Sequence, residues 1–281
     1  MTAVTLGAAE AESENSEITE EETPIFEAGF DLDYYSAYVD KNTVTTDRMV
    51  LQPCAWADLT CFEPFYFGFF VWQNWDVTDR RRGGDEGYKH ALVETDYNVH
   101  IGAEAWATDD EEQSLTLEAG HEWYTYQGRK WSHGEDPDTR EIYLKATYSN
   151  PIVDVYGRIC WMYDDFGQVS ESSARSGLYY EIGFNREFEI ADSLTFGADW
   201  NVSFGDSQYL GYYYGDSSSG IGGTTFKIYL DYAITDWLTI GGTLAYTGVL
   251  NEDARDNYKA DGAPHDFRDC LWGGFSLKTS F

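Results

Sequence analysis

The stretch that decides the fold is "VETDYNVHIGAEAWA", which runs from Val93 to Ala107. Its odd-numbered residues are nearly all apolar, and its even-numbered residues are mostly polar or charged. A period of two is typical of a β-strand with two chemically opposite faces. In a soluble barrel or sandwich the apolar face lies inside, whereas in a membrane barrel it faces lipid and the polar face lines a lumen. Alternation alone does not decide between these two orientations.

The same alternation recurs from Phe26 to Phe281 without a linker that would mark a domain boundary. The segments add up to about twelve strands, an even number, as antiparallel bacterial barrels require. We therefore predict an all-β fold, a single antiparallel up-and-down transmembrane β-barrel over residues 25–281. Residues 1–24 are acidic and are predicted to be a disordered lead-in or the remnant of a signal peptide.

The predicted connections alternate strictly between short and long. Short ones include "SNP" and "ITDW". The long ones span residues 40–47, 76–91, 127–138, 164–176, 205–223 and 248–268. In an up-and-down barrel this order places every short turn at one end and every long loop at the other, as in outer-membrane barrels. A sandwich with Greek-key crossings has no reason to sort its loops in this way.

The apolar face also sorts its aromatic residues toward the strand ends, which favours lipid outside. The set predicted near the long loops is Trp123, Trp161, Tyr163, Tyr180, Trp200 and Tyr246. The set predicted near the short turns is Phe26, Tyr148, Phe188, Tyr232 and Phe281. Aliphatic residues such as Val99 and Leu144 lie between them. We predict location in a bacterial outer membrane with both termini periplasmic, with Phe281 serving as the signal for the barrel assembly machinery.

Several segments resemble one family of outer-membrane proteins. "DYYSAYVDKNTVTTDRMVLQP" is followed by the aromatic strand "FYFGFFVWQNW" and the acidic strand "ETDYNVHIGAEAW". This order resembles the opening of the TorF-like porins, although Asp40-Lys41 stands where that family usually has Arg-Gly. The resemblance covers nearly the whole barrel and implies a small outer-membrane channel. It implies no catalytic residues.

With lipid outside, the polar face lines the lumen, and acids outnumber bases there roughly three to one, so the lumen should favour cations. The predicted pore-lining residues are Asp31, Asp33, Glu94, Asp96, Glu104, Glu118, Glu122, Glu141, Lys145, Asp154, Arg158, Glu181, Asp199, Lys227 and Asp231. Barrels of about eight strands are filled by side chains, and those of about 16 or more hold an open channel. For about twelve strands we therefore expect a narrow or partly occluded pore. The predicted function is passive diffusion of small solutes with a mild cation preference.

The net charge limits the kinds of molecule that the protein can bind. The formal net charge is -32, and setting aside the seven glutamates among the first 22 residues still leaves -25. Nucleic acid is therefore excluded as a partner, because it requires a basic surface. Small solutes or cations are the expected permeants, and outer-membrane lipid and lipopolysaccharide are the expected surroundings, with "DRRRGG" at Asp79 as a basic loop that could contact phosphates.

Other functions find less support in the sequence. No Ser-His spacing stands out, and His133 and Asp165 fall in predicted long loops, so the chain is predicted not to be an enzyme. The acidic runs at Asp109 and Asn251 lack EF-hand spacing, and no metal or other cofactor is predicted. The four cysteines, which have no metal-ligand spacing, are expected to be free thiols: Cys54, Cys61, Cys160 and Cys270.

Two alternatives remain open at this point. One is a closed structural or adhesive barrel. The other is a soluble or surface-attached all-β protein of carbohydrate-binding type, in which Trp106, Tyr143 and Tyr156 would be exposed stacking platforms.

Overall fold

A computed structural model describes residues 26–77, 92–110, 112–126, 138–163, 176–214, 218–257 and 269–281. Twelve antiparallel strands form a closed barrel, which confirms the predicted fold class. The predicted lead-in, residues 1–24, lies outside the described residues. The strands and helices are β1 (Phe26–Tyr35), β2 (Tyr38–Asp40), β3 (Thr43–Thr46), β4 (Val50–Phe62), β5 (Phe65–Asp76), β6 (Leu92–Ala107), β7 (Ser114–Tyr126), β8 (Thr139–Ser149), β9 (Asp154–Tyr163), β10 (Ser176–Ala191), β11 (Leu194–Gly205), α1 (Ser207–Tyr214), β12 (Gly220–Thr235), β13 (Leu238–Val249), α2 (Glu252–Asn257) and β14 (Asp269–Ser280).

From β4 to β14 each barrel strand pairs with its neighbour in the chain, and β1 closes the barrel between β14 and β4. Short turns and long connections alternate as predicted, so one end of the barrel, the short-turn end, carries all the tight turns. The opposite end is the long-loop end. The N-terminus of β1 and the C-terminus of β14 both lie at the short-turn end, where Gly29 pairs with Ser280.

Three of the long connections contain regular structure that the sequence pattern did not predict. Residues 40–47, predicted as loop, contain parts of the β2–β3 hairpin. Helix α1 lies between β11 and β12, and helix α2 between β13 and β14. No helix in the described residues is long and apolar enough to cross a membrane.

The two faces of the strands are oriented as the alternation predicted. Outward residues such as Val99 and Leu144 are 48% and 61% exposed, whereas inward Asn98 and Glu141 are 1% and 0% exposed. Exposed aromatic residues lie toward both ends of the strands, including Trp161 near the long loops and Phe188 near the short turns. An apolar exterior of this kind is stable in hydrocarbon and unfavourable in water. The soluble alternative therefore does not fit this structure.

One inward assignment was wrong. Trp106 was placed on the polar face by counting even positions along β6, but it is 48% exposed on the outer surface. The register of β6 against β7 shifts between Glu104 and Trp106, and Trp106 pairs with Leu115. A bulge adds one residue to one strand and so reverses the parity of every residue after it.

Candidate functional site: the barrel lumen

The strand register places the fifteen predicted pore-lining residues on the inner face. Their surroundings differ from one end of the barrel to the other. Near the short-turn end, Asp154, Asp199, Lys227 and Asp231 are only partly buried. Glu104 is exposed at the rim beside the β6 bulge. Near the long-loop end the inward acids are almost completely covered.

In the short-turn half, aromatic rings lie flat against the wall because their cross-strand partners are glycines. Tyr66 pairs with Gly102, and a Cβ on that glycine would stand 2.2 Å from the Tyr66 Cζ atom. Tyr229 pairs with Gly197 in the same way, with a distance of 2.0 Å to its Cζ. Tyr156 pairs with Gly183 in the same way, and Tyr143 pairs with Gly120 nearer the long-loop half, where its ring is buried. The bare glycine backbone lets each ring fold onto the wall and keeps the lumen clear.

The hydroxyl groups of these tyrosines hold the inward glutamates in place. Tyr66 and Tyr143 both donate to Glu118, at 3.0 and 2.8 Å. Tyr156 donates to Glu181 at 2.8 Å. Tyr229 donates to Glu187, another acid on the predicted inward face, at 2.5 Å. The acidic wall of this half is therefore ordered by side-chain hydrogen bonds.

The bases of the short-turn half also lie against the wall. Lys278 forms an ion pair with Asp231 at 2.7 Å, and its Nζ is 5.6 Å from the ring centre of Tyr229. Lys227 lies over the same ring, and Lys145 over the ring of Tyr156, both at 5.7 Å. Tyrosine faces attract cations through the ring quadrupole. Aromatic faces and carboxylates thus form the environment of each ammonium group in this half.

The long-loop half is filled by two segments that fold into it, the β2–β3 hairpin (residues 38–46) and α1 (residues 207–214), together called the plug. The hairpin turns at Lys41 and Asn42, whose φ angles of 46° and 63° are typical of a type I′ turn. Val44 and Tyr38 are buried, and Tyr38 packs against Trp72 of the wall with ring centres 5.5 Å apart. The hairpin was not predicted, because its only sequence signal is the short polar run from Asp40 to Asn42 between Val39 and Thr43, without the Asn-Gly or Asp-Gly typical of this turn.

Lys41 fixes the tip of the hairpin to the opposite wall. Its Nζ donates to the Tyr124 hydroxyl at 3.0 Å and lies 3.2 Å from Glu141 Oε2. These partners belong to β7 and β8, whereas the hairpin leaves the barrel between β1 and β4. The hairpin therefore crosses the lumen. Burial alone would lower the pKa of Lys41, but the neighbouring carboxylates of Asp40 and Glu141 outweigh it and raise the pKa well above its usual range.

Behind Lys41 lies a compact charge network. Arg158 Nη2 lies 2.9 Å from Glu122 and 2.8 Å from Glu141, and its guanidinium stacks 4.3 Å from the ring centre of Tyr143. Glu122 also accepts hydrogen bonds from Asn98, at 3.0 Å, and from the Tyr124 hydroxyl. Glu122 and Glu141 thus share Arg158, and Glu141 also pairs with Lys41. A buried group of this composition is stable only while all its members are present.

Helix α1 supplies the apolar part of the plug. Its N-terminus is capped by Asp206, whose Oδ1 accepts from the Tyr209 backbone N–H at 2.8 Å. Tyr209 and Leu210 then pack against inward Met162 and Tyr179 of β9 and β10. At its end, Tyr213 donates to Asp40 at 3.1 Å, which joins α1 to the hairpin. Both parts of the plug therefore support each other inside the barrel.

The structure describes some, but not all, of the other residues considered in the sequence. No group of three His, Cys, Asp or Glu residues in the described part of the chain is placed to hold a metal. Cys54, Cys160 and Cys270 are free thiols, and the Cys61 side chain lies outside the described residues. His133, Asp165 and the basic run at Asp79 also lie outside them. Of the histidines within them, His100 faces the lumen 3.4 Å from Asp58, and His121 faces outward against Tyr163.

Comparison with known proteins gives the fold and no family. No family model matches the chain, and no curated protein matches its sequence. Among solved structures, the NanC porin is similar with a TM-score of 0.51 and 11% identity, over 90% of this chain and 98% of that one. The COG4313 outer membrane channel from Pseudomonas putida F1 is similar with a TM-score of 0.50 and 8% identity, over 91% and 94%. The barrel therefore has the architecture of outer-membrane channels. Membership of the TorF-like porins is not confirmed.

The prediction that the chain is not an enzyme requires correction. Outer membrane phospholipase A from Escherichia coli also resembles this barrel, with a TM-score of 0.47 and 10% identity, over 90% of this chain and 92% of that one. Enzymes therefore share this architecture, and the fold does not exclude catalysis. A likeness of this degree assigns no activity to the present chain.

Proposed function

We propose that this protein is a porin-like channel of a bacterial outer membrane that passes small solutes and favours cations. The observation that carries the proposal is the closed barrel of twelve strands with an apolar exterior and a lumen lined by ordered carboxylates. The similarity to outer-membrane channels in fold supports it. The TorF-like resemblance, periplasmic short turns and recognition of Phe281 by the assembly machinery belong to the same proposal.

The acidic wall is the reason for the cation preference. Glu118 and Glu181 hold their carboxylates in place through tyrosine hydroxyls, and Asp199 adds a further acid on β11. Charges fixed along a water-filled passage attract counter-ions and repel co-ions. The chain's own bases in this half are fewer than its inward acids, so they offset only part of the negative potential.

Reversal potentials in planar lipid bilayers test the proposal. Across a potassium chloride gradient, the purified protein should give channels whose reversal potential has the sign of cation selectivity. The double variant Glu118→Gln, Asp199→Asn should move the reversal potential toward zero. Asp236→Asn, in the exposed turn between β12 and β13, is the matched control and should leave it unchanged.

Two results would contradict the proposal. Folded protein that never conducts, under any voltage and with the plug weakened, would favour the closed structural barrel. Conduction with unchanged selectivity in the double variant would show that these acids do not line the path.

A further inference from the structure

The outer face of the barrel carries almost no charge. In the described barrel strands, the register turns a single acid outward, Asp269 at the start of β14 on the long-loop rim, although the chain contains 50 Asp and Glu residues. Two arginines do face outward. Arg140 is the second residue of β8, at the long-loop rim, and Arg186 lies well inside β10.

The position of Arg186 follows from its neighbours. It pairs with Ala198 of β11, and the flanking Asn185 and Glu187 turn inward, where Glu187 accepts from Tyr229. Phe184 and Phe188 precede and follow Arg186 on the outer face of the same strand. Arg186 therefore interrupts an apolar column that otherwise faces hydrocarbon, where a charged side chain costs about 2–4 kcal/mol at the midplane and less near an interface.

The surroundings of Arg186 form a notch. On the side of the long loops, Phe184 stacks on Trp200 with ring centres 5.5 Å apart and planes 9° apart. On the side of the short turns, Phe188 stacks on Phe196 at 6.3 Å and 29°. Between these two aromatic pairs, the small side chain of Ala198 leaves a depression in the outer surface.

The guanidinium is directed toward the short-turn end. Its Cζ lies 5.5 Å from the ring centre of Phe188, on that side of the arginine. Its Nε is buried and has no hydrogen-bond partner within the described residues. Long basic side chains in membrane proteins extend in this manner toward the nearer headgroup region. A phosphate provides the negative charge and the paired acceptors that a guanidinium fits.

We propose that Arg186, with the notch over Ala198, binds the phosphate of a glycerophospholipid in the leaflet at the short-turn end. The aromatic pairs on either side would contact the upper parts of the acyl chains. The assignment of that leaflet to phospholipid rests on the proposed outer-membrane orientation. The binding itself does not depend on whether the barrel conducts.

Native mass spectrometry of the detergent-purified protein tests this site. Titration with phosphatidylglycerol should give a retained one-lipid adduct, and Arg186→Gln should lower the retained fraction at least several-fold. Ala198→Leu, which keeps the charge and fills the notch, should lower it as well. Arg140→Gln is the matched control and should retain the adduct as the unaltered protein does.

Further experiments distinguish a lipid phosphate from free phosphate, and loss of the site from misfolding or loss of conduction. Inorganic phosphate in excess should not displace the lipid, and displacement would show a simple anion site without the notch. Equal retention in Arg186→Gln and the unaltered protein would overturn the proposal. Heat-dependent gel mobility confirms that each variant is folded, and Arg186→Lys provides a second variant that keeps the charge but loses the paired donors. Bilayer conductance of Arg186→Gln should be unchanged, so loss of lipid binding is distinguished from failure of the channel.

Discussion

The two halves of the lumen are made by the same alternating strands, yet they treat their charges in opposite ways. In the long-loop half, Glu141 is completely buried, shares Arg158 with Glu122 and forms a second ion pair with Lys41. In the short-turn half, the ion pair between Lys278 and Asp231 is open to solvent, with 42% of the lysine side chain exposed. The first arrangement locks two segments of chain together, and the second leaves its charges exposed in the lumen.

The difference arises from what occupies the lumen rather than from the wall. Both halves have acids and tyrosines among the inward residues of their strands. The plug displaces water from one half only, and displaced water strengthens each charge interaction and raises the cost of each unpaired group. In the other half, glycines such as Gly102 and Gly197 let the rings lie flat and leave room for solvent.

Removal of the Lys41 side chain should have the largest effect on conduction. In Lys41→Ala the hairpin tip loses its contacts with Tyr124 and Glu141, so the plug should leave the lumen more often and single-channel conductance should rise several-fold. Bilayer recording measures this directly. Lys145→Ala, which removes a lumen base from the short-turn half, should not increase conductance. Unchanged conductance in a folded Lys41→Ala protein would show that the plug does not limit the path.

Removal of one base from each half of the lumen should lower the free energy of unfolding by different amounts. Arg158→Met removes the cation shared by Glu122 and Glu141, and among the contacts described only Glu141 keeps an ion pair, with Lys41. Breaking such a buried group costs about 3–5 kcal/mol. Lys278→Met breaks the solvated pair with Asp231 and should cost less than about 1 kcal/mol. Unfolding in guanidinium chloride, followed by tryptophan fluorescence in lipid, compares the two free energies. Similar losses in both variants would remove the distinction between the halves.

Most of the barrel could be predicted because alternation is a local property. Residues such as Val99, Leu144 and Ile182 can be assigned to one common face without knowledge of their neighbours, and the structure exposes that face. The order of short and long connections then predicted the topology. The failure at Trp106 has the same origin, because a one-residue bulge reverses parity without any change in composition.

The plug could not be predicted in this way, because its stability depends on residues far apart in the chain. In the sequence, Lys41 stands out only as a departure from the Arg-Gly of the TorF-like porins; of its partners, Glu141 is predicted to line the pore and Tyr124 is not predicted to have a role. Nothing in "VDKNTV" indicates that its lysine reaches the opposite side of a barrel. The direction in which a loop folds is decided by tertiary contacts that a periodicity does not contain.

The glycines under the tyrosine rings offer a smaller test of the open half. In Gly102→Ala the new Cβ would lie 2.2 Å from Tyr66 Cζ, so the ring must leave the wall, at a cost of about 1–3 kcal/mol. The displaced ring should also reduce conductance moderately. Gly242→Ala, where nothing lies within 4 Å, is the control and should do neither. Combination with Tyr66→Ala should restore stability relative to Gly102→Ala, and a failure to do so would refute the steric explanation.

The smallest expected effect concerns pH: the contribution of Lys41 to holding the plug in the lumen should not change with pH near neutrality. The pKa of Lys41 is raised above its unfolded value of 10.5, against the opposing effect of burial, by Asp40, Glu141 and Glu122. A group with a raised pKa contributes its full stability below the unfolded pKa and loses it only as the pH rises through the folded one. The conductance ratio between Lys41→Ala and the unaltered protein should therefore stay constant from about pH 7 to pH 9. A ratio that falls toward one within this range would mean that Lys41 loses its proton there, and that the carboxylates around it do not hold the hairpin as the geometry implies.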